Sequence, residues 1–107
     1  MAVRLYLAGP MSGIEALNFP AFNAAAAALR DRGFLIDNPA EICPDPATQW
    51  RDCMRADIKV LVDCDGIALL PGWENSRGAT LERTIAIGLG LRVHTVAELL
   101  DSQTVQA

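Results

Sequence analysis

Glu82 is an acidic residue at a position where a predicted helix should meet the protein core. It shares one helical face with Ile85, Ala86 and Leu89, which follow it by three, four and seven residues. A carboxylate on such a face is costly unless it has partners, and near the amino end of a helix the macrodipole favours its ionised form. Two interpretations remain open: a functional carboxylate, or a capping or salt-bridged glutamate with an arginine nearby.

Asp57 is a second acid beside an apolar stripe. It lies three residues after Met54 and four before Leu61 on another predicted helix. The apolar stripe of that helix consists of Trp50, Met54, Ile58, Leu61 and Val62. An acid in this position is either bonded to the backbone or kept for function. The alternative is that Asp57 forms a surface pair with Arg51 or Arg55.

Two carboxyl groups that converge on one cleft suit the chemistry of N-glycosidic bonds. One can attack or stabilise the anomeric carbon as that carbon gains oxocarbenium character, and the other can position the sugar or protonate the leaving base. Different surroundings can separate their pKa values, which lets one act as an acid and the other as a base. Glu82 and Asp57 are therefore our candidate catalytic residues.

Two loops are rich in small residues and could offer backbone amides to a ligand. Ser76 can cap the helix that follows it, and Gly78 lets a ligand approach amides suited to a phosphate; the alternative is an ordinary helix cap. The earlier loop consists of Gly9, Pro10, Met11, Ser12 and Gly13. It lacks the lysine of a P-loop and the GxGxxG spacing, which counts against ATP hydrolysis and a standard dinucleotide fold.

Two aromatic residues lie close to these loops. Tyr6 is near the carboxyl end of a predicted buried strand, where its hydroxyl would need a partner such as a glutamate. The pattern alone favours a core tyrosine over a functional one. Trp73 lies in the second loop, where it could stack on a base or cover a subunit contact.

The hydrophobic pattern predicts that alternating strands and helices position these residues. The predicted strands are Val3–Ala8, Phe34–Ile36, Gly66–Leu70 and Arg92–Val96. The predicted helices run from Asn18, a candidate N-cap, to about Arg32, then over Gln49–Val62 and Ala79–Leu89. We predict a loop over Asp37–Thr48, a helical turn over Ala97–Leu100 and a frayed end over Asp101–Ala107.

Alternation of this kind predicts a single α/β domain over residues 1–107. We expect a small doubly wound parallel sheet of four to five strands, Rossmann-like or flavodoxin-like, with helices on both faces. In such sheets ligands bind beyond the carboxyl ends of the strands. The loops Gly9–Gly13 and Gly72–Gly78 leave those ends.

The composition limits which kinds of partner and which cellular compartment we expect. The formal net charge of -4 argues against a nucleic-acid polymer, whose backbone needs a basic stripe. No apolar run approaches the roughly 20 residues of a membrane span, so we expect a cytoplasmic protein without a membrane partner. Cys43, Cys53 and Cys64 form no CxxC pair and are expected to be reduced thiols. His94 is expected to be structural, so no metal site is predicted.

Together these residues resemble the nucleoside 2-deoxyribosyltransferase-like superfamily, most closely its DUF4406 family. The resemblance covers Leu5 to about Val96. The segments that carry it are Tyr6–Gly13 (YLAGPMSG), Asn18–Asn23 (NFPAFN), Asn38–Glu41 (NPAE), Met54–Asp57 (MRAD) and Cys64–Glu82 (CDGIALLPGWENSRGATLE). The last segment is specific, because a strand end and a Ser-x-Gly-x-x-x-Glu spacing must both match.

The resemblance implies N-glycosidic hydrolysis or transfer on a nucleoside 5′-monophosphate or deoxynucleoside, without a metal or organic cofactor. It implies Glu82 as the nucleophile, Asp57 as the acid that contacts the sugar and assists base departure, and Tyr6 as the residue that orients Glu82. It also implies a 5′-phosphate site at Ser76 and Gly78. The first loop, which closes around the ligand, would contribute Gly9, Met11 and Ser12.

The resemblance also bears on assembly, because relatives complete their sites across a subunit contact. A homodimer or higher homo-oligomer is therefore expected, with a small-molecule nucleoside or nucleotide as the ligand. Two alternatives belong to other classes of protein. One is a nucleotide-binding or sensing module of the same fold without turnover, and the other is a structural subunit that binds no ligand.

Overall fold

The computed structural model describes residues 2–106, with side chains described as far as residue 101. Four parallel strands form one sheet in the order β2-β1-β3-β4. The strands are β1 Arg4–Ala8, β2 Leu35–Asp37, β3 Gly66–Leu69 and β4 Arg92–Thr95. The predicted α/β class and parallel sheet are thereby confirmed.

Five helices accompany the strands. They are α1 Phe19–Asp31, α2 Pro39–Ile42, α3 Trp50–Leu61, α4 Arg77–Gly88 and α5 Val96–Gln106. Short 3-10 turns at Glu15–Asn18 and Trp73–Asn75 precede α1 and α4. Each long crossover between parallel strands is thus helical, as a connection between parallel neighbours requires.

Side chains of the central strands alternate between two buried cores. On one face Leu5 and Leu7 of β1 pack with apolar residues of α1 and α5. On the other face Tyr6 and Ala8 pack with residues of α3 and α4. Because alternate side chains of a strand point to opposite faces, Tyr6 is directed toward the two helices that carry the acidic residues.

Two predictions about the helices are wrong. The segment predicted as a loop over Asp37–Thr48 contains α2, because the Asn38 side chain accepts a hydrogen bond from the Ala40 amide at 3.0 Å and caps that helix. The end predicted to fray over Asp101–Ala107 instead continues α5 to Gln106, and Ala107 lies outside the described residues. A capping box starts α5: the Thr95 amide donates to Glu98 at 2.9 Å and the Glu98 amide to Thr95 at 3.1 Å.

Of the N-caps predicted for α1 and α4, the structure confirms only that of α4. Ser76 caps α4, since its hydroxyl accepts from the Ala79 amide at 3.1 Å. Asn18 does not cap α1. Its backbone is left-handed, with a φ of 61°, and its side-chain amide instead donates to the carbonyl of Pro10 at 2.9 Å. That bond ties the start of α1 to the loop after β1.

The expectation that all three cysteines are reduced is wrong for two of them. Cys43 and Cys53 form a disulfide, with their Cα atoms 5.7 Å apart, which is an ordinary separation. Spacing along the chain could not reveal it, because the segment after α2 folds back onto the first turn of α3. Cys64 is a buried free thiol that donates to Asp37 at 3.2 Å.

Within residues 2–106, no helix combines the length and the apolar character needed to cross a bilayer.

Candidate active site

A cavity of about 390 Å³ opens at the carboxyl ends of β1 and β3. From these two adjacent strands the chain leaves toward opposite edges of the sheet, and ligands of open α/β sheets bind at such a switch point. The loop after β1, the first two turns of α3 and the start of α4 form its walls. The predicted site residues that line it are Tyr6, Gly9, Pro10, Met11, Ser12, Asp57, Ser76, Gly78 and Glu82.

Glu82 lies on α4 and is only 4% exposed. The Tyr6 hydroxyl donates a hydrogen bond to its Oε2 atom at 2.6 Å, so its partner is a tyrosine rather than one of the neighbouring arginines. Burial raises the pKa of Glu82 to about 8, the hydrogen bond from Tyr6 opposes that rise, and the charge of Asp57 adds to it. Glu82 therefore faces the cavity as a carboxyl group that ionises near neutral pH.

Asp57 lies on α3 and is 6% exposed. The alternative of a surface pair with a neighbouring arginine is therefore wrong. Its Oδ1 atom is buried and accepts no hydrogen bond from any side chain or backbone group that the structure describes. Burial raises the pKa of Asp57 to about 7, and the Tyr6 hydroxyl partly offsets this. A buried carboxylate oxygen without a partner is costly unless water or a ligand supplies a hydrogen-bond donor.

Tyr6 is fully buried, and its hydroxyl lies between the carboxyl groups of Glu82 and Asp57. Burial raises its pKa well above 10, and the negative charges of Glu82 and Asp57 act in the same direction. Its hydroxyl therefore stays protonated and acts as a hydrogen-bond donor rather than as a base. The prediction that a buried tyrosine at this position would need a glutamate as partner is confirmed.

The beginning of α4 is fixed to both neighbouring segments. The Ser76 hydroxyl, besides capping the helix, donates to the Gly9 carbonyl at 3.4 Å, which joins the two loops. A Cβ atom at Gly78 would lie 3.2 Å from the sulfur of Met54, a tight contact that the Met54 side chain would have to relieve by shifting. Gly78 thus allows α3 and α4 to approach each other closely, in addition to lining the cavity.

Two predicted ligand residues lie elsewhere. Gly13, the last residue of the first loop, adopts a φ of 82° and is not among the described residues that line the cavity. Trp73 packs instead against the core between the sheet and α4, with the Arg83 guanidinium 5.0 Å from its ring centroid. The structure therefore favours a packing role for Trp73 over stacking on a base in this cavity.

Several residues that line the cavity were not predicted as site residues, among them Phe22, Trp50, Asn75 and Arg77. Trp50 was assigned to the core stripe of its helix, but it is the first residue of α3 and is 37% exposed. Hydrophobic spacing identifies the inner face of a helix but does not separate positions over the sheet from positions over a cavity. The location of Trp50 on the first turn, directly after a loop, was the available signal.

The comparisons with known proteins agree with this fold. Residues 3–95 match the model of DUF4406, a domain of unknown function, and no protein of curated function matches the sequence. A 2-deoxyribosyltransferase of Bacillus psychrosaccharolyticus superposes with a TM-score of 0.67 and 20% identity, over 87% of this chain and 71% of that one. The CMP N-glycosidase BcmB of Clostridium botulinum superposes with a TM-score of 0.58 and 17% identity, over 86% of this chain and 66% of that one. At these identities the likeness shows a shared fold.

Proposed function

The chain belongs to the DUF4406 family, and from its cavity we propose that it hydrolyses or transfers at the N-glycosidic bond of a nucleoside 5′-monophosphate or deoxynucleoside. The observation that carries the proposal is the convergence of two buried acids, Asp57 and Glu82, on one cavity with Tyr6 between them. The functions of the two solved relatives, 2-deoxyribosyl transfer and CMP N-glycosidase activity, support the same chemistry.

Glu82 is the nucleophile in this proposal. Its carboxylate attacks C1′ of the sugar while the bond from C1′ to the base nitrogen breaks, and the electron pair of that bond leaves with the base. The Tyr6 hydroxyl holds the attacking group in one orientation through its 2.6 Å hydrogen bond. Water then attacks C1′ and gives a proton to the Asp57 carboxylate, the bond from C1′ to Glu82 breaks, and the sugar leaves while Glu82 is restored as a carboxylate; in transfer the nitrogen of a second base attacks C1′ instead.

Asp57 assists the departing base. In its protonated form it gives a proton to the base nitrogen, and as a carboxylate its unpartnered Oδ1 accepts from a sugar hydroxyl. Burial raises the pKa of both acids, to about 7 for Asp57 and about 8 for Glu82, so the pair as a whole keeps a proton at neutral pH. The higher pKa places that proton on Glu82 before substrate binds, so the proposed step requires its transfer to Asp57. The hydrogen bond that Tyr6 donates to Glu82 supports this arrangement, because it favours the ionised form of that carboxyl group.

The proposal is tested by release of free base. We expect the protein, incubated with a panel of nucleosides and nucleoside 5′-monophosphates, to release base from at least one of them, measured by chromatography. Glu82→Gln keeps an acceptor for Tyr6 but removes the nucleophile, so we expect base release to fall about 1,000-fold or more. The matched control is Glu74→Gln, an exposed glutamate outside the cavity, which should release base at the rate of the unchanged protein.

Calorimetric binding separates the enzyme from the alternatives. Binding of a nucleotide without release of base, with Glu82→Gln binding equally well, would identify a sensing module instead. Absence of any binding, seen also as no ligand-induced rise in the melting temperature, would leave only a structural role.

A further inference from the structure

Arg77 and Trp50 form a contact across the mouth of the cavity. The Arg77 guanidinium lies over the Trp50 ring, 4.2 Å from its centroid. Each is the first residue of its helix, Arg77 of α4 and Trp50 of α3. Both line the same cavity as the two acids. A cation on the face of an indole is an attractive pair, so this contact fixes a positive charge at the entrance.

That charge is not neutralised by a carboxylate. Among the residues with described side chains, the ion pairs involve Arg4, Arg30 and His94 but not Arg77. The other acid–base groups of the lining, Tyr6, Asp57 and Glu82, are buried deeper, and burial disfavours their charged forms. The free amides at the start of α4 add to the positive potential at the mouth.

The interior of the cavity suits a hydrogen-bond donor, unlike the mouth, which suits an anion. Asp57 presents a buried oxygen without a partner among the described groups, which suits a hydroxyl donor such as a sugar. One molecule that joins a sugar to an anionic group would supply a hydroxyl donor to Asp57 and a negative charge to Arg77. A nucleoside 5′-monophosphate has this arrangement, whereas a free nucleoside leaves the cationic end without a partner.

We propose that Arg77, held in place by stacking on Trp50, selects nucleoside 5′-monophosphates over uncharged nucleosides as substrates. This inference rests on the proposed function and narrows its substrate class. Stacking leaves the edge of the planar guanidinium free, and that edge presents two parallel donors matched to phosphate oxygens. Trp50 is a positioning residue, since it restricts the orientation of Arg77 through its ring.

The test compares kcat/KM for each monophosphate with kcat/KM for the matched nucleoside. Arg77→Met removes the charge, and we expect the ratio to fall about 10- to 100-fold, mainly through KM for the monophosphate, as for the loss of hydrogen bonds to a charged group. Arg55→Met removes the same charge from an exposed position on α3 outside the cavity and should keep the ratio. Trp50→Phe should retain most of the selectivity and Trp50→Leu should lose it.

A binding measurement keeps this inference separate from the proposed function. Inorganic phosphate should bind the unchanged protein and the Arg55→Met variant alike in calorimetry, and Arg77→Met more weakly by a similar factor. If no base is released from any substrate but Arg77→Met still weakens phosphate binding, the proposed catalysis fails and the anion site stands. An Arg77→Met variant whose selectivity and phosphate affinity both stay within about twofold of the unchanged protein would overturn the inference.

Discussion

A buried carboxyl group releases its proton reluctantly, and this molecule holds two of them at one cavity. Asp57 and Glu82 are each more than nine-tenths buried, and their pKa values are raised to about 7 and about 8 from ordinary values of 3.8 and 4.5. Between the ordinary and the raised pKa values, these two groups bind more protons in the folded protein than in the unfolded chain. The free energy of unfolding should therefore decrease as the pH rises from about 4 to about 8.

Removing one of the acids should relieve this cost in a pH-dependent way. We expect Glu82→Gln to raise the melting temperature at pH 8, where the native carboxyl is substantially ionised, and to have a much smaller effect at pH 5. A shift of one pKa unit corresponds to about 1.4 kcal/mol, so the gain at pH 8 should exceed about 1 kcal/mol. Thermal unfolding of both proteins measures it, with Glu74→Gln as the control. An equal gain at pH 5 and pH 8 would contradict the buried-acid explanation.

At the residue scale, the sequence predicted which acids are buried and the partner of Tyr6, but not the contact at the start of the two helices. Helical spacing placed Glu82 and Asp57 toward the core, and the structure confirms their burial. It did not foresee that Arg77 would stack on Trp50, because that contact joins the starts of two helices far apart in sequence. Trp73 illustrates the opposite error, since its place in a ligand-side loop does not determine which way the ring turns.

At the scale of elements, capping residues are the local signal that predicts where a helix begins, and the sequence contains such a signal for both α4 and α5. Ser76 was recognised as a cap and caps α4. The same reasoning applied to Thr95 and Glu98 would have predicted α5, because their spacing is that of a capping box. The disulfide between Cys43 and Cys53 had no such local signal, since it depends on the fold of the intervening segment.

The disulfide should stabilise the connection between α2 and α3. Cys43 and Cys53 are separated by 10 residues, and closing a loop of this size removes about 2–3 kcal/mol of chain entropy from the unfolded state. The Cys43→Ser/Cys53→Ser double variant should therefore unfold roughly 10 °C lower. A dithiol reductant should lower the melting temperature of the unchanged protein and leave that of the double variant where it is. A reductant effect of equal size on both proteins would contradict this account.

At the scale of the whole molecule, alternation of strands and helices was sufficient to predict the parallel sheet and the edge at which the cavity opens. The strand order itself was not predicted, because hydrophobic patterns do not specify which strands become neighbours. The order β2-β1-β3-β4 nevertheless determines the site, since it places the two loops from β1 and β3 side by side.

The expected homo-oligomer stays a prediction. Leu81 lies on α4 and Leu89 is the residue that ends it. Leu89 is 55% exposed, so the prediction that it shares the core-facing side of the helix with Glu82 is wrong. Leu81 is 41% exposed, and we expect a second copy to cover both leucines. Sedimentation at micromolar concentration should show a dimer or larger species, and Leu81→Lys/Leu89→Lys should shift it toward the monomer. Ile87→Lys, on the other flank of the helix and 51% exposed, is the control. A monomer in the unchanged protein would contradict the prediction.

The close packing of Gly78 against Met54 has a consequence for the distance between the two acids. Gly78 precedes Glu82 by four residues on α4, and Met54 precedes Asp57 by three on α3, so the contact lies about one helical turn before each carboxyl. A methyl group at position 78 would place its carbon 3.2 Å from the Met54 sulfur, so either the Met54 side chain or the helices themselves would have to shift by a few tenths of an ångström. The absence of a side chain at Gly78 therefore helps to determine how closely α3 and α4, and with them the two carboxyl groups, approach each other.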